Sequence, residues 1–91
     1  MTPRVEVAVI IQNRLGLHAR SAAALVKVCN RYACEVTIAK DGLVVNGKSI
    51  MGVMMLGASK GTRLTLRAQG PDAEALIAEL VHLIDQKFYE E

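Results

Sequence analysis

The chain has 91 residues, and this length excludes an enzyme that needs two domains or a deep cleft between them. Hydrophobic residues make up 52% of the sequence and aromatic residues only 3%, so we expect an aliphatic core in a single ordered domain spanning residues 1–91. The net charge of +2 is unevenly distributed, because residues 1–70 carry ten basic and three acidic side chains and residues 71–91 carry one basic and six acidic ones.

Hydrophobic periodicity and turn signals predict seven elements. In chain order they are a strand over 4–12, a helix over 19–31, a strand over 34–40, a strand over 43–46, a helix over 49–56, a strand over 62–69 and a helix over 72–88. Asp41-Gly42 predicts a tight hairpin between the second and third strands. The order β-α-β-β-α-β-α predicts an α+β fold of two layers, with all three helices on one face of a four-stranded sheet and the other face open.

The first predicted helix begins with a histidine where a capping Ser, Thr, Asp or Asn is usual, in the segment Gly16-Leu17-His18-Ala19-Arg20. Backbone N–H groups at a helix start favour an anion, Arg20 adds a cation, and Gly16 would let the backbone approach that anion closely. Neutral imidazole is a nucleophile near neutral pH, so these are the parts of a small phosphate site. An ordinary capping or surface histidine fits the spacing as well. His82, on the polar side of the last helix, is given no role.

The second predicted helix is apolar nearly all round. A short helix in a small domain cannot bury every face, so we expect some of Ile50, Met51 and Met54 to form an exposed interaction surface. Filling of irregular core gaps is the alternative. Ser49 suits the N-cap, and a phosphate there would place negative charge at a helix start beside the apolar surface.

Cysteine usage and hydropathy indicate the compartment. Cys29 and Cys34 are too few for a disulfide scaffold and have no zinc-ligand spacing, so we interpret them as buried free thiols and expect no metal. The N-terminal apolar stretch is interrupted by Glu6, which argues against a signal peptide, and no segment approaches the ~20 apolar residues of a membrane span. We therefore expect a cytoplasmic protein without membrane insertion.

Both helix starts resemble motifs of the HPr family, the histidine-containing phosphocarriers of the bacterial phosphotransferase system. Segment 16–20 looks like the family's phosphohistidine motif and segment 46–56 like its regulatory serine motif, and the order of elements agrees over nearly the whole chain. The resemblance implies an HPr-like open-faced β-sandwich with an antiparallel four-stranded sheet. It implies that His18 accepts a phosphoryl group on Nδ1 from enzyme I and passes it to an enzyme IIA, and that Arg20 steadies the phosphohistidine. Ser49 would be the target of HPr kinase/phosphorylase, which lowers transfer.

The resemblance also implies a partner-docking surface around the histidine. Its members would be Ala23, Ala24, Lys27, Lys48, Ile50, Met51 and Met54. We accordingly expect a monomeric carrier that needs no cofactor and is not itself an enzyme, serving sugar transport and its regulation. The basic side chains of Arg20, Lys27 and Lys48 would surround the site, and the acidic last helix would lie away from it.

One position departs from the family's pattern, because Ser21 stands where a proline usually follows the arginine. A proline would fix φ and remove an N–H group in the first helical turn, so Ser21 is expected to loosen the entry to the helix. The departure leaves open a regulatory paralogue that acts mainly through phosphorylated Ser49 and protein binding. The retention of both His18 and Arg20 argues against that alternative.

A small basic RNA-binding domain is the alternative from another functional class. The basic charge of residues 1–70 supports it, but the predicted strands lack the aromatic side chains on which bases stack. Segment 57–61 also has one residue too many for a GXXG loop. We therefore expect no nucleic-acid partner.

Overall fold

The computed structural model describes residues 3–90, which form four strands, three α-helices and a short final turn. The strands and helices are β1 (Arg4–Ile10), α1 (Ala19–Cys29), β2 (Glu35–Lys40), β3 (Leu43–Asn46), α2 (Ile50–Met55), β4 (Arg63–Gln69) and α3 (Ala73–Asp85), followed by the turn Lys87–Tyr89. The predicted element order is confirmed. Within residues 3–90, no helix combines the length and apolar character that crossing a bilayer requires.

The sheet has the strand order β1-β4-β2-β3, and every neighbouring pair is antiparallel. Leu66 of β4 pairs with Val7 on one side and with Ile38 on the other. The hairpin at Asp41-Gly42 is confirmed, since Lys40 pairs with Leu43 and both turn residues have positive φ angles of 48° and 86°. The predicted α+β architecture with a four-stranded antiparallel sheet is therefore correct.

The core lies between the sheet and the helices. Alternate residues of β4 point into it, and they meet apolar residues of α1 and α3. The members buried to at least 99% include Ile38, Leu64, Leu66, Leu25, Leu76 and Leu80. The aliphatic core predicted from the composition is confirmed, with Phe88 as its one buried aromatic side chain among residues 3–90.

Three predicted elements extend two or more residues too far, and two of these errors concern residues that stay buried. α1 ends at Cys29 rather than at 31. β1 ends at Ile10, and Ile11 is buried just beyond the strand. α3 ends at Asp85 rather than at 88, because the backbone of Lys87, Phe88 and Tyr89 turns into the left-handed region with φ of 54°, 55° and 58°. Hydrophobic spacing identifies Phe88 as buried but does not specify the backbone path that buries it.

The two cysteines are buried free thiols, as interpreted from the sequence. Burial raises the pKa of Cys29 to about 12, and burial also raises the pKa of Cys34 above its usual value. Both side chains therefore remain protonated near neutral pH and serve as small core residues.

Asp72 connects the start of α3 to the start of β2. It occupies the N-cap position of α3, but its carboxylate makes no cap bond and instead accepts hydrogen bonds from the backbone N–H groups of Ala33 (2.8 Å) and Cys34 (2.9 Å). The hydrogen bond from Ala33 holds the pKa of Asp72 below its ordinary value of 3.8.

We expect Asp72→Asn to destabilise the protein at neutral pH but not in strong acid. The lowered pKa of Asp72 means that the carboxylate contributes stability above its ordinary pKa of 3.8, and this contribution is lost as the pH falls through the lower folded-state pKa. Urea unfolding at a series of acid pH values measures this effect. The difference in free energy of unfolding between wild type and variant should shrink as the pH falls. A difference that stays constant into strong acid would contradict this role.

Candidate functional site

His18 is itself the N-cap residue of α1. Its backbone is extended, its Nδ1 accepts a hydrogen bond from the Arg20 backbone N–H (3.3 Å), and its own backbone N–H donates to Ser21 Oγ (3.0 Å). The side chain is 33% exposed. The predicted position of His18 at a helix start is confirmed, and the imidazole performs part of the capping that the sequence left unassigned.

Ser21 fastens the entry to α1 instead of loosening it, so that expectation is wrong. The residue is fully buried, and its hydroxyl donates to the carbonyl oxygen of Gly16 (2.8 Å) while accepting from the His18 backbone N–H. A proline ring could make neither bond. Serine therefore holds the loop to the helix through hydrogen bonds where proline would restrict φ.

Gly16 brings the histidine loop against the segment that follows α2. Its φ is +69°, and a Cβ atom there would lie 2.4 Å from the carbonyl oxygen of Ala58. The next residue, Leu17, donates its backbone N–H to the same oxygen (2.8 Å). The glycine is thus required by contact between two backbone segments, which corrects the expectation that it makes room for an anion.

The acidic segment that follows α3 reaches the histidine, although the acidic last helix was expected to lie away from the site. The Glu90 carboxylate approaches His18 with 2.6 Å between Oε2 and Nε2, and its Oε1 accepts from Asn13 Nδ2 (2.8 Å). The left-handed turn after α3 redirects the chain toward His18. Asn13 and Glu90 were not predicted as site residues, because neither hydrophobic spacing nor a motif marks them.

Of the three cations expected around the site, only Arg20 lies in the first turn of α1. Within residues 3–90 its guanidinium group has no hydrogen-bond or ion-pair partner, so it can turn toward an anion at the helix start. Lys27 is exposed in the last turn of the same helix. Lys48 is not brought to the histidine, because its ammonium group donates to the backbone carbonyl of Tyr32 (2.7 Å), beyond the carboxyl end of α1.

Ser49 caps α2 and lies at the opposite end of α1 from His18. Its Oγ accepts from the Gly52 backbone N–H (3.1 Å), which confirms the predicted N-cap. Asn30, the C-cap of α1, donates to the backbone carbonyl of Lys48 (3.2 Å). The 11 residues of α1 span about 16 Å, so the two predicted phosphorylation residues are far apart.

The outer face of α2 is an exposed apolar surface, as predicted. Its residues, which we call the α2 patch, are Ile50 (46% exposed), Met51 (77%), Met54 (43%) and Met55 (67%). Met55 is an addition to the predicted set. Of the predicted neighbours on α1, Ala23 is exposed and Ala24 is half-buried. Because the segment after α2 contacts Gly16 and Leu17, the carboxyl end of the patch is the end nearer His18.

These features define a small open-faced β-sandwich that presents an accessible histidine at a helix N-terminus. A family model described as the PTS HPr component phosphorylation site matches residues 5–86. The chain is 46% identical over 89 residues to the phosphocarrier protein HPr of Pseudomonas aeruginosa, covering 97% of each chain. The chain therefore belongs to the HPr family of phosphocarrier proteins.

Solved structures agree with this assignment. The crystal structure of HPr-C-His from Thermoanaerobacter tengcongensis superposes with a TM-score of 0.93 at 46% identity, covering 96% of this chain and 98% of that one. The Bacillus subtilis catabolite repression protein Crh superposes with a TM-score of 0.74 at 42% identity, covering 87% and 91%. That structure is described as a swapped dimer, so the expected monomer stays a prediction for this chain.

Proposed function

We propose that this chain carries phosphoryl groups in the phosphoenolpyruvate-dependent phosphotransferase system, accepting them on His18 from enzyme I and donating them to an enzyme IIA in the cytoplasm. One observation carries the proposal. The imidazole of His18 is one-third exposed at the start of α1, and its Nδ1 is bonded to the backbone N–H of Arg20, a basic residue of the first helical turn. Membership of the phosphocarrier family supports the same chemistry.

Transfer at this site needs positioning and charge stabilisation. The Nδ1 lone pair forms the new bond to phosphorus, while the bond from phosphorus to the donor atom of enzyme I breaks and its electron pair leaves with that atom. The N–H groups and positive dipole end of α1, together with Arg20, stabilise the negative charge on the phosphoryl oxygens. Partners supply the rest of the machinery, so the exposure of His18 suits a group that two proteins must reach in turn.

A reconstituted relay tests this function. Enzyme I and phosphoenolpyruvate should load the protein with an acid-labile phosphate. Adding an enzyme IIA should remove this phosphate, and the enzyme IIA should gain an equal amount. The regulatory alternative predicts a different pattern, in which the kinase labels Ser49 but no enzyme IIA receives phosphate. Failure of enzyme I to load the wild-type protein would refute the carrier function.

We further propose that Ser49 is the regulatory phosphorylation site. Its hydroxyl is half-buried and bound to the backbone of Gly52, immediately before the α2 patch. A phosphate there would be tolerated by the positive end of α2 and would place about two negative charges beside an apolar docking surface. The α2 patch, with Ala23, Ala24 and Lys27 of α1, is our proposed contact area for enzyme I and enzyme IIA. Lys48, whose ammonium is bound elsewhere, would contribute at its edge.

Ser49→Ala should prevent labelling by HPr kinase/phosphorylase and leave loading by enzyme I intact. The substitution also removes the N-cap acceptor of α2, so we expect about 1 kcal/mol lower stability in urea unfolding. Ser59→Ala is the matched control, because Ser59 is an exposed serine in the loop that follows α2. Equal kinase labelling of Ser49→Ala and wild type would contradict the assignment.

A further inference from the structure

The two ring nitrogens of His18 have chemically opposite partners. Nε2 lies 2.6 Å from the Glu90 carboxylate, and Nδ1 lies 3.3 Å from the backbone N–H of Arg20. An ionised carboxylate can only accept a hydrogen bond, and a backbone N–H can only donate one. Both contacts therefore favour the same neutral tautomer of the ring, with the proton on Nε2 and the lone pair on Nδ1.

We propose that Glu90 is a positioning residue for phosphoryl transfer, which holds the His18 ring in the orientation and tautomer that make Nδ1 the nucleophile. This inference rests on the proposed carrier function. As Nδ1 bonds to phosphorus and the donor atom leaves with its electron pair, positive charge develops on the ring. The Nε2 proton stays in its hydrogen bond to Glu90, whose carboxylate offsets that charge, and donation to the next partner reverses the step.

The contact is supported by a buried second layer of hydrogen bonds. Asn13 is completely buried, and its Nδ2 donates both to Glu90 Oε1 and to the carbonyl oxygen of Gly16, each at 2.8 Å. The Glu90 side chain is only 10% exposed, which strengthens its hydrogen bonds relative to those of a surface carboxylate. Asn13 thus fixes the carboxylate relative to the loop that carries the histidine.

The backbone before Glu90 also has a special conformation. Three consecutive residues that are not glycine, Lys87, Phe88 and Tyr89, adopt the left-handed region, in which such residues are uncommon. Phe88 is buried at 7% exposure, so packing offsets the cost of this turn. The turn is what delivers Glu90 to His18, since a continued α-helix would carry the chain along the axis of α3.

The test compares wild type with Glu90→Ala, Glu90→Gln and the control Glu35→Gln. Glu35 is an exposed carboxylate far from the histidine loop. It pairs with Gln69, which also pairs with Arg4 at the first residue of β1. The histidine loop follows Ile10, at the other end of that strand. Nitrogen NMR of the neutral ring reports the tautomer, and single-turnover loading by enzyme I reports the rate. We expect wild type and Glu35→Gln to keep the proton on Nε2 and to load equally fast.

Glu90→Ala should populate both tautomers and load about tenfold more slowly, as removal of residues that orient a histidine commonly does. The loading rate of Glu90→Gln should lie between those of wild type and Glu90→Ala, because the glutamine amide oxygen can still accept a hydrogen bond from Nε2. An unchanged tautomer in Glu90→Ala, or an unchanged loading rate, overturns the inference. If wild type itself takes no phosphate, the carrier function fails, and the tautomer comparison still decides whether Glu90 controls the ring.

Discussion

Replacing His18 by alanine will abolish acid-labile phosphorylation by enzyme I. The guanidinium of Arg20 and the N–H groups at the start of α1 would remain in the variant. Those groups stabilise a phosphoryl group but cannot form a bond to phosphorus, so no label is expected on the variant. Autoradiography or mass spectrometry after incubation with enzyme I and phosphoenolpyruvate measures the loss.

The matched control for this experiment is His82→Ala. His82 is an exposed histidine on α3 whose ring centroid lies 6.4 Å from that of Tyr89. Among residues 3–90 it has no hydrogen bond to His18 or Glu90, so its variant should load like wild type. His18→Ala removes one capping acceptor, at a cost of about 1 kcal/mol, and the contact to Glu90, and we expect the variant to remain folded because the core is unchanged. Wild-type levels of label on a folded His18→Ala protein would contradict the site assignment.

Replacing Gly16 by alanine will produce a large loss of stability and displace the histidine loop. The added Cβ would lie 2.4 Å from the Ala58 carbonyl oxygen and 2.8 Å from Ser59 Cα, both of which are backbone atoms that cannot rotate away. Alanine also disfavours the φ of +69° found there. We expect a destabilisation of about 2–4 kcal/mol in urea unfolding, as the sum of backbone strain and steric overlap.

Gly57→Ala separates those two contributions. Gly57 has a similar φ of +57°, but a Cβ atom there would meet no other atom within 4 Å. Its replacement should cost only the backbone strain, about 1 kcal/mol. The cost of steric overlap at position 16 is then the loss of stability in Gly16→Ala minus the loss in Gly57→Ala. If both variants lose the same stability, the close contact between the histidine loop and the segment after α2 is wrong.

The fold was predictable because local patterns and tertiary packing agree. Leu64, Leu66 and Ala68 alternate with polar residues and form the buried side of the central strand β4. Asp41-Gly42 has the conformational freedom that a two-residue hairpin needs. Such features act within a few residues of one another, so the sequence reveals them without knowledge of the fold.

The candidate site was predictable only where its residues are neighbours along the chain. His18, Arg20 and Ser21 belong to one helix start, and the hydrogen bonds within it depend on a geometry that any helix start shares. Glu90 lies 72 residues from His18, and its arrival depends on a left-handed turn that no spacing rule marks. Glu90 is a contact that was missed, whereas Lys48 is a contact that was predicted but is not made. Lys48 was expected near the histidine, and its ammonium group binds the Tyr32 carbonyl instead.

The separation of the two predicted phosphorylation residues has a consequence for regulation. Ser49 and His18 lie at opposite ends of α1, about 16 Å apart along the helix axis, so a phosphate on Ser49 would not compete directly for the Nδ1 position. Its expected effect is therefore on partner docking over the α2 patch. In the relay this corresponds to weaker binding of enzyme I with unchanged chemistry once the complex has formed.

Phosphorus and nitrogen NMR of the protein loaded by enzyme I tests the proposed phosphoryl transfer most directly. We expect one phosphoryl group, bonded to Nδ1 of His18, with Nε2 still carrying its proton. The same sample should lose its phosphorus signal when an enzyme IIA is added. A phosphoryl group found on Nε2 of His18, on His82 or on any side chain other than His18 would contradict the proposed transfer at Nδ1.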